Sequence, residues 1–217
     1  MKNLIAATVL GLSMASAANA APFQGAFYDV GGYGTYLDPG SVVGAPLADS
    51  NAAVLAFLAG NPVADATFTS GGIGYGAQAI GSLADFLSTD AGSIIGDGTT
   101  SFLGSILTFS GTIDLLAGLN NNFEVFSDDG FLLYINGVLA GSYDGLRAPS
   151  SSLFAVDGGA GGHAQFDLIY YEGSQVLAAL DVNLNGNTLA PVPLPAGGLL
   201  LIGAIGGLAA LRRRKLV

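Results

Sequence analysis

The chain has 217 residues, 51% of them apolar, with 34 glycines and neither cysteine nor tryptophan: enough for one sizeable core, with no disulfide framework, thiolate metal site or thiol nucleophile. All sixteen acidic residues fall between Asp29 and Asp181 with Arg147 as the one basic residue among them, while Lys2, Arg212, Arg213, Arg214 and Lys215 sit at the two ends. A middle this acidic excludes nucleic acid as a partner, repels anionic lipid and attracts divalent cations.

Residues 1–20 read as a signal peptide. Lys2 is the charged start, Leu4 to Leu12 the short apolar run, and Ala18-Asn19-Ala20 the small-residue site before Ala21. Signal peptidase is therefore an expected partner, the chain is expected to be exported, and the apolar run is too short to span a bilayer.

From residue 21 to 190, short β-branched and aromatic runs alternate with Gly, Ser, Asn and Asp, which predicts one extracellular, mostly β domain: an antiparallel, jelly-roll-like β-sandwich. The predicted strands are Gln24 to Val30, Ala66 to Thr69, Ser105 to Leu115, Asn122 to Phe126, Phe131 to Ile135, Leu153 to Val156, Ala164 to Tyr171 and Val176 to Val182. Helical spacing over Asn51 to Leu58 and Ile80 to Leu87, behind Ser50 and Ser82 as caps, predicts two short helical excursions. The glycine runs Gly71 to Gly76 and Gly158 to Gly162 read as loops, and they lack the lysine of a phosphate-binding loop. His163, the only histidine, reads as an exposed loop residue with no acidic or serine partner at motif spacing, so no catalytic residues are assigned and no enzyme activity is expected.

Two stretches carry most of the information. The first runs Phe123-Glu124-Val125-Phe126-Ser127-Asp128-Asp129-Gly130-Phe131-Leu132-Leu133-Tyr134-Ile135-Asn136-Gly137, a strand, an acidic turn, a strand and an Asn-Gly turn. The second, Gln165-Phe166-Asp167-Leu168-Ile169-Tyr170-Tyr171-Glu172-Gly173 followed by Val176 to Val182, is again strand, turn and strand. Their Ser-Asp-Asp-Gly turn, Leu-Tyr-Ile-Asn-Gly strand and turn, and Tyr-Tyr-Glu-Gly segment resemble the protective-antigen-type (PA-fourteen) β-sandwich of glycosidases, toxin subunits and surface adhesins. The resemblance runs from Leu107 to Val182, with Gly25-Ala26-Phe27-Tyr28 as a candidate first strand and Asp38 to Asp97 matching less clearly. In adhesins of that type two adjacent aspartates joined by a cis bond hold calcium, and the ion holds vicinal sugar hydroxyls. The resemblance assigns those positions to Asp128 and Asp129, and the third ligand, an asparagine in the adhesins, falls on Glu172. The residues by themselves also allow an ordinary turn whose aspartates bond to nearby backbone amides. Adjacent aspartates cannot flank a glycosidic bond at the separation of about 5 Å or more that hydrolysis requires.

Residues 191–217 form a second apolar unit. Val192-Pro193-Leu194-Pro195-Ala196 precedes the apolar run Gly197 to Leu211, which closes on Arg212-Arg213-Arg214-Lys215. Proline at the start and a basic cytoplasmic end predict one C-terminal transmembrane helix with the domain facing outward. Motif, apolar run and basic end together resemble the PEP-CTERM sorting signals in their VPLPA variant. That resemblance implies transient inner-membrane insertion, processing near the proline motif by an exosortase, and delivery to the cell surface or extracellular matrix of a polysaccharide-producing bacterium. A simple tail anchor would share the apolar run and basic stop. Two functions are left open: a calcium-assisted module binding extracellular polysaccharide, and a structural matrix protein without a specific ligand. Tyr134, Tyr143, Tyr170 and Tyr171 are the candidate sugar-stacking residues, with alternation assigning some of them to the core.

Overall fold

Alternation along Ser105–Leu115 sets the architecture: Leu107, Phe109, Ile113 and Leu115 are buried, while residues between them stay partly open. In the computed structural model, which describes residues 20–30, 48–79, 81–118, 120–173 and 177–192, this stretch is the central strand β5 of an antiparallel sheet. The other strands are β1 (Phe23–Asp29), β2 (Ala66–Ser70), β3 (Gly74–Ala79), β4 (Ile95–Gly96), β6 (Asn120–Asp128), β7 (Gly130–Ile135), β8 (Val138–Tyr143), β9 (Ser150–Asp157), β10 (Gly162–Glu172), β11 (Leu177–Leu184) and β12 (Asn187–Thr188). A seven-stranded sheet runs β4-β2-β1-β5-β10-β7-β8; the second runs β12-β11-β6-β9, with β3 also paired to β11. The described residues from Ala21 to Val192 form one compact unit.

The two sheets meet through an aromatic core. Phe23, Phe27, Phe109, Phe131, Phe166, Leu168 and Tyr170 from the larger sheet face Phe123, Val125, Leu180 and Val182 from the smaller. Phe102 stacks on Phe86 with ring centroids 4.0 Å apart, closing the core beneath α2 (Leu83–Leu87). The larger sheet also buries part of its outer face. Ile106 and Tyr171 point away from the sandwich and pack with Val54, Phe57 and Leu58 of α1 (Asn51–Ala59).

Local chemistry explains where these elements begin and turn. Ser50 caps α1 by accepting from the Ala53 amide, and Ser82 and Asp85 form a reciprocal capping box on α2. Asn136 and Gly137, at φ 51° and 75°, make the primed turn that joins β7 to β8; Asn185 and Gly186, at 54° and 79°, do the same between β11 and β12. Gly130 sits opposite Tyr171 across the β7–β10 pair, where a side chain would enter the tyrosine ring.

Several expectations need correction. The second helix starts at Leu83 and continues as a 3-10 helix over Ser88–Ser93. Residues 74–76, expected in a loop, belong to β3 because Ala77 to Ala79 pair with Leu177 to Ala179 of β11 and carry the glycines into the ladder. Gly162 likewise opens β10. β8 was not expected at all: Val138-Leu139-Ala140-Gly141-Ser142 has little alternation, and the Asn-Gly turn folds it back on β7. His163 lies on β10, with Nδ1 2.6 Å from Asp114 Oδ1 across the β5–β10 pair, so it has an acidic partner that chain spacing concealed. Among the described residues, no helix is long and apolar enough to cross a membrane. The body of the expected signal peptide, residues 193–196 of the expected sorting motif, the apolar run and the basic cluster lie outside the described residues.

Candidate metal centre

The site lies where the chain crosses between sheets. Along β6 the buried positions alternate through Asn121, Phe123, Val125 and Ser127, and Asp128, also buried, still pairs with Ala179 of the smaller sheet. Two residues later Gly130 pairs with Tyr171 of the larger sheet. The Asp128-Asp129 peptide, which is cis, makes that crossing. On β10, Ala164, Phe166, Leu168 and Tyr170 occupy the core face, and the same alternation turns Glu172 inward at its end. Strand pairing thus unites carboxylates 43 residues or more apart in sequence.

Asp128, Asp129 and Glu172 are all buried, and each offers a carboxylate oxygen within 4.8 Å of the others. Two oxygens on one calcium ion, each at about 2.4 Å, can stand at most about 4.8 Å apart, so the trio fits a shared ion. Asp129 is fixed from both sides: the Arg147 amide donates to Oδ1 and the Gly173 amide to Oδ2, each at 2.8 Å. The Ser127 hydroxyl donates to the Asp129 carbonyl at 2.7 Å. Tyr170 shares its hydroxyl between the Asp128 carbonyl and Glu172 Oε2, the latter at 2.8 Å. Asp128 Oδ1, by contrast, is buried and has no hydrogen-bond partner. A buried carboxylate oxygen left this way costs free energy that a cation would recover.

Electrostatics points the same way. Burial, followed by the hydrogen bond and charge of Asp129, pushes Asp128 from the ordinary 3.8 up to about 7, with Arg147 pulling it back only in part. Burial and the neighbouring Glu172 raise the Tyr170 hydroxyl well above its ordinary value, which keeps it a donor.

The structure brings together all three acids named from the sequence, and with them four supporting residues that sequence reasoning missed. Arg147, after β8, and Gly173, just after β10, hold the Asp129 carboxylate; Tyr170 of β10 holds that of Glu172, and Ser127 of β6 holds the Asp129 carbonyl. One signal was available, the isolation of Arg147 among sixteen acids. Of the candidate stacking residues, Tyr170 and Tyr171 are fully buried; Tyr143 lies under the Arg147 guanidinium at 4.1 Å, and Tyr134 is half-buried. Val192, the described part of the expected sorting motif, donates its amide to the Thr112 carbonyl of β5.

No protein-family model matches the chain, and no curated protein matches it. Among solved structures it is similar to a PA14 sugar-binding domain from an RTX adhesin, with TM-score 0.57 and 28% identity, covering 79% of this chain and 95% of that one. It is also similar to the PA14 domain of the MpAFP antifreeze protein, with TM-score 0.56 and 21% identity over 79% of this chain and 86% of that one. The epithelial adhesin 6 A domain from Candida glabrata, solved in complex with Galb1-3GlcNAc, gives TM-score 0.53 and 12% identity over 82% of this chain and 87% of that one. At such identities the last two speak to the fold alone. The described domain is a PA14-like antiparallel β-sandwich.

Proposed function

We propose that this chain is an exported surface protein whose domain, residues 21–192, is a carbohydrate-binding adhesion module working through calcium held by Asp128, Asp129 and Glu172. The observation that carries this reading is the buried carboxylate trio with its unpartnered Asp128 Oδ1, on a fold similar to a sugar-binding adhesin domain. The chain's own groups divide the work. Asp129 is held immobile by two amides and defines the site, Asp128 offers a free oxygen, and Glu172, held by Tyr170, completes the set from the other strand. Calcium takes about six to eight oxygens, so three side chains leave positions open for vicinal hydroxyls of a polysaccharide. The signal peptide and the VPLPA-type tail support export, transient inner-membrane insertion, exosortase processing and residence at the cell surface or in the extracellular matrix.

Calorimetric titration of calcium into the full-length chain in mild detergent, beside the double variant Asp128→Ala, Asp129→Ala, tests the ion. Saturable heat is expected in the parent and none in the variant. A glycan screen with and without chelator then tests the sugar. Calcium binding without any calcium-dependent glycan signal would leave an ion-stabilised structural domain, and no heat in the parent would remove the metal as well.

A further inference from the structure

Arg147 is the only cation in a stretch of sixteen acids, yet its guanidinium is turned toward neutral oxygens. Nε donates to the Ser127 carbonyl at 3.1 Å, one terminal nitrogen to Ser127 Oγ at 2.7 Å, and the other to Ser152 Oγ at 3.0 Å. Its Cζ lies over the Tyr143 ring, 4.1 Å from the ring centre. The fork therefore ties the last inward residue of β6 to β9 and to β8. Ser127 Oγ, gripped by the fork, passes the constraint on by donating to the Asp129 carbonyl. The Arg147 amide meanwhile holds Asp129 Oδ1. One residue thus fixes Asp129 at its carbonyl, through Ser127, and at its carboxylate.

From this geometry we infer that Arg147 is the positioning residue of the carboxylate trio, acting through the planar fork of its guanidinium on Ser127 and Ser152. A role as a charge would predict the reverse effect on an ion, because a cation beside the site repels a second cation. Lysine keeps the charge but is a flexible point donor that cannot span Ser127 Oγ, the Ser127 carbonyl and Ser152 Oγ together. Both Arg147→Lys and Arg147→Met retain the backbone amide; the lysine removes the fork and keeps the charge, and the methionine removes both. As far as calcium is concerned, the inference rests on the reading above.

The test uses the full-length chain in mild detergent and has two arms. In calcium-free protein, exchange of the Gly173 amide, which is buried against Asp129 Oδ2, is expected to quicken at least tenfold in both variants. In the calcium titration, both variants are expected to bind at least tenfold more weakly than the parent. Unchanged exchange at Gly173 in Arg147→Lys overturns the inference, as does parental calcium affinity in that variant or tighter binding in Arg147→Met. If the parent binds no calcium, the calcium reading falls on its own, and the exchange arm still decides what Arg147 does.

Discussion

Asp128 concentrates the chemistry of the site in one carboxyl group, and its behaviour with pH is a direct expectation. Its folded value of about 7 stands above the ordinary 3.8, so between those pH values the native state binds a proton that the unfolded chain has released. Stability from this group is fully present below pH 3.8 and lost as the pH rises through about 7. Thermal melts in chelator should fall in midpoint from pH 5 to pH 8, and Asp128→Asn should flatten that fall. Calcium should restore the midpoint at pH 8, where the ion takes the place of the proton, and should do little at pH 5. An equal slope in Asp128→Asn would move the titration elsewhere. The Ser-Asp-Asp-Gly turn was legible because aspartate and glycine in sequence mark a turn, and the family resemblance gave it a chemical meaning; the crossing between sheets was not legible. Arg147 and Tyr170 were illegible: a fork across three strands and a buried hydroxyl leave no local trace in the sequence. His163 was misread for the same reason, since its partner Asp114 lies on a neighbouring strand.

Elements were legible where a local rule was strong. Ser50 and Ser82 announced their helices, and Asn136-Gly137 announced a turn, because caps and primed turns depend on residues a few positions apart. Replacing Ser82 by Ala removes one side of the capping box and is expected to cost about 1 kcal/mol in denaturant unfolding. Strands without alternation, such as β3 and β8, were invisible because only the neighbouring ladder stabilises them. A second expectation concerns Gly130. A methyl group there would stand 2.1 Å from the Tyr171 ring, whose hydroxyl accepts from the Gly145 amide. Gly130→Ala is expected to destabilise the domain by about 1–3 kcal/mol through overpacking, and to weaken calcium binding by shifting the turn beside it. Parental stability would mean that Tyr171 has room to move.

At the scale of the described unit, β5 runs between two functionally different ends. Ser105 pairs with Glu172 of the carboxylate trio, whereas the Thr112 carbonyl receives the Val192 amide, and Phe23 packs beside Gly111. Both ends of the unit therefore lie together, and at a strand rise of about 3.3 Å per residue they stand roughly 23 Å from the carboxylates. The chain has no cysteine, so a dye on Ala190→Cys gives one labelled position. Terbium in the proposed calcium site should transfer energy to that dye with an efficiency matching about 20–25 Å. A separation of half that would contradict the strand register. By itself the sequence determined what depends on nearest neighbours and composition: an acidic, cysteine-free β domain with its helix caps and turns, while the resemblance supplied Asp128, Asp129 and Glu172 as candidates. Only the tertiary structure decided that Glu172 meets Asp128, that Asp128 Oδ1 is left without a partner, and that Arg147 braces them. Those facts depend on which strands pair and where the chain crosses between sheets, and strand pairing joins residues whose separation along the chain carries no trace of their contact.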